Sequence, residues 1–160
     1  MITNTQLAEA FGRNLSIVQR QTEGLSHADS LRQPPFRGNC LNWVLGHMAE
    51  SRDRILEALG ETPSAGEAVM RYARESEPIT ADDAGALPLD ALLRLLAASQ
   101  EALAAALGRA TPEDLARELK LGQRTTTVGA RVFFLYFHET YHVGQTELLR
   151  QLAGAHNKVI

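Results

Sequence analysis

The sequence predicts an all-α protein, a four-helix bundle with one or two extra short helices. Apolar residues recur three, four or seven positions apart along most of the chain, which is the spacing of helix faces. No segment convincingly alternates apolar and polar residues as a half-buried strand does. The 160 residues, 44% hydrophobic and 22% charged, suit one globular core. We therefore expect a single bundle domain over residues 1–160.

The first half of the chain predicts two long helices joined by a loop. A stripe of leucine, phenylalanine and valine predicts the first helix over residues 5–24. Residues 26–38 contain two prolines and a glycine, so they are predicted to form a loop. Asn39 is a suitable N-cap for the second helix, and Gly60 is suited to end it.

The middle of the chain predicts one short helix and one long helix. Ser64 and Glu67 have the spacing of a capping box, which predicts a short helix that ends before Pro78. Pro88 then opens a leucine-rich stretch that Gly108 closes, and this stretch predicts the third long helix.

The last part of the chain predicts the longest helix. The stretch TPEDLA supplies a cap, an early proline and two carboxylates, which favour one further helical turn. The stretch LGQRTTT that follows is predicted to be a polar loop. Residues 127–152 then predict a helix that is apolar on every side through VFFLYF, as expected of a central helix surrounded by its neighbours.

Charge and composition argue against several classes of protein. A net charge of −3 and a pI near 5.9 lack the basic surplus that nucleic-acid binding requires. No uninterrupted apolar run reaches the ~18 to 20 residues of a membrane span, and the N-terminus does not resemble a secretory signal. Cys40 is the single cysteine, which excludes an internal disulfide and a multi-cysteine zinc site. We expect a cytoplasmic protein that binds neither nucleic acid nor membrane.

The stretch FHETYHVGQ contains His138, Glu139 and His142 in the His-Glu-x-x-His order of zinc proteases. The two histidines are one helical turn apart and share a face, so both imidazoles can reach one ion. A protease of this type needs a third ligand downstream, where the candidates are Glu147 and His156. Glu147 points to another side of the helix, and His156 lies in the predicted tail. A peptidase is therefore disfavoured.

An upstream histidine is the better candidate for a third ligand. His47 lies at the flank of the apolar stripe of the second helix, where a side chain can face a cleft between helices. Taken alone, it is better explained as an exposed or hydrogen-bonded histidine than as a ligand. Three neutral imidazoles, with water in the remaining positions, suit Zn²⁺ or a similar ion. Cys40 is seven residues from His47, about 10.5 Å along a helix, and is better explained as a small residue at the helix start.

Two stretches resemble the DinB superfamily of YfiT-like metal-binding four-helix bundles. NWVLGHMAESRDRIL is similar to the second-helix signature of that family, and HETYHVGQ is similar to its late His-x-x-x-His-x-Gly-Gln pattern. The resemblance covers residues about 5 to 154. It implies a metal triad of His47, His138 and His142, one divalent ion such as zinc or nickel, and a homodimer. Many relatives carry arginine at the position of Val143, so their substrate preference does not transfer.

The resemblance also implies a class of function. Some members are metal-dependent transferases that use a low-molecular-weight thiol such as bacillithiol or mycothiol. We therefore expect an enzyme of the S-transferase type that activates such a thiol, or water, toward a small-molecule substrate. Two alternatives stay open from the sequence: a metal-binding or stress-related bundle without catalysis, and, less favoured, a metal-dependent hydrolase.

Residues near the histidines are candidates for supporting roles. Glu50 follows His47 by three residues, so it can accept an imidazole N–H or relay a proton; the alternative is an exposed carboxylate beside Arg54. Gln145 follows His142 by three residues and can orient a ligand or water, or make a packing hydrogen bond.

The remaining candidates around the site are weaker. Glu139 is rotated by about 100° from His138 on a helix, so it is not expected to be a ligand. Trp43 and Tyr141 are candidates for the pocket wall, although aromatic residues at helical spacing are usually core. Arg37 and Arg124 are candidates to hold an anionic substrate, with solvated loop arginines as the alternative. Gly144 is expected to permit close approach of helices.

Overall fold

Four long helices form the body of the protein. The computed structural model describes residues 2–82 and 85–160. Its long helices confirm the predicted all-α fold, to which one small hairpin is added. The elements in chain order are α1 (Asn4–Thr22), α2 (His27–Ser30), α3 (Leu41–Ala58), a 3₁₀ helix (Gly66–Tyr72), α4 (Leu89–Arg109), α5 (Pro112–Ala116), β1 (Glu118–Leu121), β2 (Arg124–Thr127) and α6 (Val128–Leu152).

The long helices pack as a square in which consecutive helices are not always neighbours. Both α1 and α3 pack against α4 and against α6. The pairs α1 and α3, and α4 and α6, therefore lie on the diagonals of the bundle. This arrangement makes α3 and α6 neighbours, although about 70 residues separate them in the chain.

A buried ion pair between Arg52 on α3 and Glu139 on α6 connects all four long helices. Arg52 Nε and Nη2 donate to the two carboxylate oxygens of Glu139 at 2.7 and 2.9 Å. The same guanidinium donates to the carbonyls of Leu96 on α4 and Phe11 on α1, at 2.9 and 3.2 Å. The pair forms a polar layer between two apolar clusters, one containing Ala49 and Val143 and the other containing Ile55 and Leu135.

The predicted loop over residues 26–38 contains the short helix α2. Ser26 and Asp29 form a capping box, in which Ser26 Oγ accepts from the Asp29 amide and Asp29 Oδ2 accepts from the Ser26 amide. This reciprocal bonding satisfies two backbone donors at the helix start. The prediction of a loop relied on the two prolines and the glycine, which lie after this helix. It overlooked the capping-box spacing of Ser26 and Asp29, which precedes them.

The predicted caps of two helices are wrong in detail. Cys40, and not Asn39, occupies the N-cap position of α3, without a side-chain hydrogen bond. Ser64 and Glu67 do not form a capping box, because the N-cap residue of the 3₁₀ helix is Ala65. The Ser64 amide and hydroxyl donate instead to Asp53 Oδ1 on α3, at 2.8 and 3.0 Å. The carboxylate of Asp53 therefore accepts the hydrogen bond from the Ser64 amide that Glu67 would have accepted in a capping box.

The predicted polar loop LGQRTTT is largely a β-hairpin. Strands β1 and β2 pair antiparallel, with Leu121 opposite Arg124. Gly122, with φ of 59°, begins the two-residue turn, as glycine does in the hairpin turns that need a positive φ. Each strand has only four residues: β1 (ELKL) alternates over a single short segment and β2 (RTTT) does not alternate, so periodicity did not reveal the hairpin.

The prediction that neighbours surround the last helix is wrong. One side of α6 packs in the bundle, but another side exposes a row of large apolar side chains. Phe137 is 63% exposed and Tyr141 is 62% exposed, far more than a central helix would allow. We call this surface the α6 aromatic face; it contains Phe133, Phe134, Phe137, Tyr141 and Leu148.

Helix α4 is the one helix in the described residues whose length and composition would suit a membrane span. Its 21 residues include a window with a mean hydropathy of 1.3. A single helix of this kind is a weak indication, since core helices of soluble proteins pass the same test. In this structure Leu92, Leu96 and Leu103 are buried where α4 packs against α1 and α3. We interpret α4 as a bundle helix.

Candidate metal centre

Three histidines meet between α3 and α6. His47 comes from α3, and His138 and His142 come from successive turns of α6. One ring nitrogen of each lies within 4.8 Å of the others. The Nε2 atoms of His138 and His142 are 3.1 Å apart. The structure thus brings together all three histidines that the sequence singled out.

His47 is fixed by the segment that crosses over it. Its Nδ1 donates to the backbone carbonyl of Tyr72 at 2.8 Å. Because a carbonyl can only accept, the proton lies on Nδ1 and the lone pair of Nε2 faces the other histidines. Trp43 stacks on the imidazole, with ring centroids 4.7 Å apart. The tautomer and the plane of the ring are therefore both set before any ligand arrives.

The 3₁₀ helix that carries the Tyr72 carbonyl is anchored tightly. The Tyr72 hydroxyl donates to Asn42 Oδ1 at 3.0 Å and accepts from the Leu87 amide at 2.7 Å. Its ring lies directly over Gly46, where a Cβ atom would come within 2.2 Å of Tyr72 Cδ1. Glycine at position 46 is thus required for the close approach that orients His47.

The two histidines on α6 are held differently from each other. His142 Nδ1 donates to Gln145 Oε1 at 2.6 Å, so its Nε2 also presents a lone pair to the cluster. The sequence suggested that Gln145 orients a ligand or water, or makes a packing hydrogen bond; in the structure its side-chain oxygen accepts from His142. His138 Nδ1 is buried and has no hydrogen-bond partner in the described parts of the chain, and its ring lies beside Phe134.

Burial keeps the three imidazoles neutral at neutral pH. Desolvation lowers the pKa of His47 and of His142 below the usual value of 6.5. Burial also lowers the pKa of His138 to about 4, with further lowering by the neighbouring His142 and His47. Neutral imidazole is the form that binds a metal ion, since protonation occupies the ligand lone pair.

The donor set and its dimensions suit a first-row divalent ion. Tetrahedral Zn–N bonds of about 2.0–2.1 Å place two ligand nitrogens about 3.3 Å apart. The separation of the His138 and His142 nitrogens, 3.1 Å, is close to that value. The three-histidine cluster is therefore compatible with metal binding. Three protein ligands leave coordination positions open, as in catalytic rather than closed structural sites.

Glu50 is a buried carboxylate at the edge of the cluster. It does not accept the N–H of His47, whose Nδ1 donates to Tyr72 and lies 3.9 Å from Glu50 Oε2. Glu50 Oε1 accepts from Arg54 Nε, whereas Oε2 has no hydrogen-bond partner among the described residues. The alternative expectation, that Glu50 is an exposed carboxylate beside Arg54, is wrong, because the residue is only 4% exposed. Burial raises its pKa.

Glu139 is not positioned as the general base of a His-Glu-x-x-His protease. Both of its carboxylate oxygens accept from Arg52, and Oε1 also accepts from Asn14 on α1. The residue is buried in the polar layer of the bundle, on a different side of α6 from His138. Its contacts hold the bundle together and do not reach the histidine cluster. This agrees with the expectation, from its rotation relative to His138 on the helix, that Glu139 is not a ligand.

Several other candidates lie away from the cluster. Cys40 caps α3, and its thiol donates to the Ile79 carbonyl at 3.4 Å. Glu147 accepts from Gln21 on α1 at 2.9 Å, and so faces another side of α6. His156 is exposed in the segment after α6. None of these three belongs to the histidine cluster.

Of the residues expected to line the pocket or to hold a substrate, only Trp43 stacks on an imidazole of the histidine cluster. Trp43 does stack on His47, but Tyr141 is exposed on the α6 aromatic face. Arg37 and Arg124 are exposed and do not line the cleft over the histidines. Gly144 has no heavy atom within 4 Å of an added Cβ, so no helix of the same chain requires it.

Three arginines that the sequence did not single out line the cleft instead. The cleft has a volume of about 280 Å³. The sequence contained no local signal for them, since Arg54 and Arg131 have ordinary helix positions and Arg74 follows the 3₁₀ helix. Only the approach of α3, α6 and the 3₁₀ helix brings them together. The lining includes His47, His138, Glu50, Phe134, Arg54, Arg74 and Arg131.

Comparison with known proteins supports the resemblance read from the sequence. None of the curated proteins matches the chain. A solved structure described as the conserved protein of locus from Enterococcus faecalis superposes with a TM-score of 0.75. It is 18% identical, over 96% of this chain and 98% of that one, and at this identity the likeness shows the fold alone. The sequence model of the DinB superfamily matches residues 10–146. The chain belongs to the DinB superfamily.

Proposed function

We propose that this protein binds one divalent metal ion through Nε2 of His47, His138 and His142. The observation that supports this assignment is the convergence of three neutral imidazoles from two helices. Two of them are oriented by hydrogen bonds on the opposite nitrogen. Zinc and nickel are the expected ions, because borderline imidazole ligands favour both over calcium or magnesium.

We further propose that the bound ion serves an enzyme that activates a low-molecular-weight thiol, or water, against a small-molecule electrophile. A metal ion in such a site lowers the pKa of a bound thiol or water and so supplies a nucleophile at neutral pH. The support for catalysis is the open ligand set together with the cleft above it. An enclosed site with four protein ligands would instead favour a purely structural role.

Glu50 is the residue of this chain best suited to take up a proton in that cleft. Its Oε2 atom is buried, lines the cleft and has no hydrogen-bond partner in the described parts of the chain. Burial raises the pKa of the carboxyl, which makes it a stronger base than an exposed carboxylate. Arg54 holds the other oxygen and so fixes the direction of the free one. We assign proton transfer to Glu50 Oε2.

Metal content tests the first proposal directly. Protein purified without a polyhistidine tag is expected to contain about one metal ion per chain, measured by elemental analysis. His47→Ala is expected to lose it, because two imidazoles from one helix remain. His156→Ala is the matched control, since this histidine lies outside the cluster, and should retain the ion. Unchanged metal content in His47→Ala would refute the triad.

Conjugation of an electrophile tests the second proposal. The metal-loaded protein is mixed with 1-chloro-2,4-dinitrobenzene and, in separate runs, bacillithiol, mycothiol, glutathione or free cysteine. We expect at least one thiol to react faster with the electrophile in the presence of the parent protein than in the presence of the His138→Ala variant. Glu50→Gln should retain metal and lose about 10²- to 10⁴-fold in rate, the usual contribution of a general base. Metal retention with equal rates for parent and His138→Ala would favour the non-catalytic alternative.

We also propose that the protein forms a homodimer through the α6 aromatic face. Phe134, Phe137, Tyr141 and Leu148 are spaced by three, four and seven residues, which is the spacing of a helix-pairing seam. Gly144 lies in the same row and has open space above it, so a second helix can approach closely. A cytoplasmic location and the absence of nucleic-acid partners stay predictions from the sequence.

A further inference from the structure

The charges around the histidine cleft are unbalanced. Three guanidinium groups, from Arg54, Arg74 and Arg131, line it together with one carboxylate, Glu50. Arg54 donates to Glu50 Oε1, so this pair largely neutralises itself. Among the described residues, Arg74 pairs only with its sequence neighbour Glu75, and both side chains are about 80% exposed, where an ion pair contributes little. A net positive charge therefore remains at the mouth of the cleft.

Of the three arginines in the cleft, Arg131 has the most unsatisfied donors among the described residues. Its guanidinium lies over the ring of Phe134, 5.7 Å from the centroid. It makes no hydrogen bond or ion pair with any residue in the two described ranges, although the side chain is partly buried. The side chain is only partly accessible to solvent, and this burial lowers the pKa of the guanidinium. Five N–H donors held in a partly dry cleft are well suited to a planar or tetrahedral oxyanion.

Arg131 also has the right position relative to the histidines. It lies seven residues, or two turns, before His138 on α6, and so on the same face of the helix. Its charge is one of the causes that lower the pKa of His138. Arg131 and His138 also line the same cleft, so an anion bound to Arg131 would share that cleft with the histidines.

A second cavity of about 530 Å³ continues from the cleft and shares Glu50, Arg54 and Arg131 as its wall. It lies between the 3₁₀ helix and the hairpin. Met70 and Leu121 line it and are 61% and 40% exposed. Apolar side chains left uncovered beside a polar cleft favour the apolar part of a ligand. Glu57 and Glu67, which also line it, are exposed to solvent, where their charges are screened.

We propose that the cleft is specific for a small molecule with an oxyanion, carboxylate or phosphate, and an apolar body. Arg131 binds the oxyanion with help from Arg74, and the apolar body extends into the cavity lined by Val69, Met70, Leu119 and Leu121. This assignment rests on the proposed function, because it names the class of substrate that would be presented to the histidine site. The two arginines predicted from the sequence, Arg37 and Arg124, have no part in it.

The test uses probes that share a shape and differ in charge. We choose 4-phenylbutyrate, 4-phenylbutylphosphonate and the uncharged 4-phenylbutanamide, and measure each dissociation constant by calorimetry or amide chemical shifts. The parent protein should bind at least one anion about tenfold or more tightly than the amide, since a charge-assisted contact contributes that much. Comparing carboxylate with phosphonate identifies the natural oxyanion.

Two variants locate the binding to the proposed arginine. Arg131→Gln should remove the preference for the anion over the amide, whereas Arg131→Lys should retain part of it. Arg94→Gln is the matched control, because Arg94 is an exposed arginine paired with Asp90 on α4 and lines neither cavity. Amide shifts away from residue 131 verify that each variant is folded. Equal binding of anion and amide by the parent, no saturable binding of any probe, or an unchanged preference in Arg131→Gln would each overturn the inference.

Metal-free and zinc-loaded samples separate this inference from the proposed function. The preference that depends on Arg131 should appear in both samples. In one outcome only the zinc-loaded protein prefers the anion, and zinc-loaded Arg131→Gln keeps this preference. The metal ion is then the group that binds the anion, so the arginine site is refuted while metal binding stands. If the protein takes up no zinc but shows the preference that depends on Arg131, the metal proposal fails and the oxyanion site stands.

Discussion

At the scale of single residues, the histidine site is defined as much by the partners of the imidazoles as by the imidazoles. Tyr72 supplies a backbone carbonyl to His47, and Gln145 supplies a side-chain carbonyl to His142. Both contacts place the ring proton away from the cluster. Burial then keeps the rings neutral, so that no proton must be displaced at neutral pH before an ion binds.

The metal-free protein should show this effect in its titration. We expect His138 to titrate near pH 4, measured by NMR of its ring protons in protein treated with a chelator. Because the pKa of the folded state is below that of the unfolded chain, the unfolded chain binds the proton first. Folding stability is therefore fully present above about pH 6.5 and decreases as the pH falls toward 4. A midpoint at or above 6.5 would show that the ring is exposed.

At the scale of elements, the crossing of the 3₁₀ helix over α3 orients the site. The ring of Tyr72 lies on Gly46, and its carbonyl reaches His47 one residue later. The segment is anchored a second time where Asp53 accepts from the amides of Ser64 and Gly66. These contacts convert a short irregular segment into a rigid support for the His47 imidazole.

Gly46→Ala should separate the 3₁₀ helix from α3. The added methyl group would overlap the Tyr72 ring, and we expect a loss of about 1–3 kcal/mol in unfolding free energy, the usual cost of overpacking. Metal affinity should fall as well, because His47 loses its orienting carbonyl. Gly108→Ala is the control, since position 108 has open space and alanine in a helix adds up to about 1 kcal/mol. Urea denaturation compares the variants; equal stability of both would contradict the close contact.

At the scale of the whole molecule, the polar layer fixes how the four helices meet. Arg52 and Glu139 have specific partners on α1, α3, α4 and α6, so only one register of the bundle satisfies them. This is a matter of specificity more than stability, because desolvation offsets much of the attraction in a buried ion pair.

Arg52→Leu should destabilise the fold by about 3–5 kcal/mol, because it leaves the Glu139 carboxylate buried without its partner. The double variant Arg52→Leu, Glu139→Leu should recover most of that loss, measured by chemical denaturation. A double variant as unstable as the sum of the two single variants would mean that the two residues act independently. Metal content is expected to survive in the double variant if it folds, since Glu139 lies outside the histidine cluster.

The α6 aromatic face belongs to the same scale, because the bundle leaves it uncovered. Phe137→Asp should convert a dimer of 17.5 kDa chains into a monomer, since a charge in the apolar seam would be desolvated. Light scattering coupled to size-exclusion chromatography measures the mass. Phe36→Asp is the matched control, because Phe36 is equally exposed but lies in a loop. A parent that is monomeric at all concentrations would refute the homodimer.

The sequence by itself determined the helices through short-range spacing, and the family and the three histidines through two short stretches that resemble the family. Apolar periodicity located the four long helices, and the i, i+4 spacing of His138 and His142 placed their imidazoles on one face. It misplaced two caps and missed the hairpin: the tertiary acceptor Asp53 replaced the local cap at Ser64, and strands of four residues are too short for a clear periodic signal.

Only the tertiary structure decided the surroundings of the site. Which carbonyl orients His47, that Glu50 is buried with a free oxygen, and that Arg131 rather than Arg37 faces the cleft all depend on the approach of distant segments. These contacts depend on how α3, α6 and the 3₁₀ helix pack together. The physical reason is that burial and hydrogen-bond partners are properties of packed neighbours, and neighbours in space are not encoded by position along one helix.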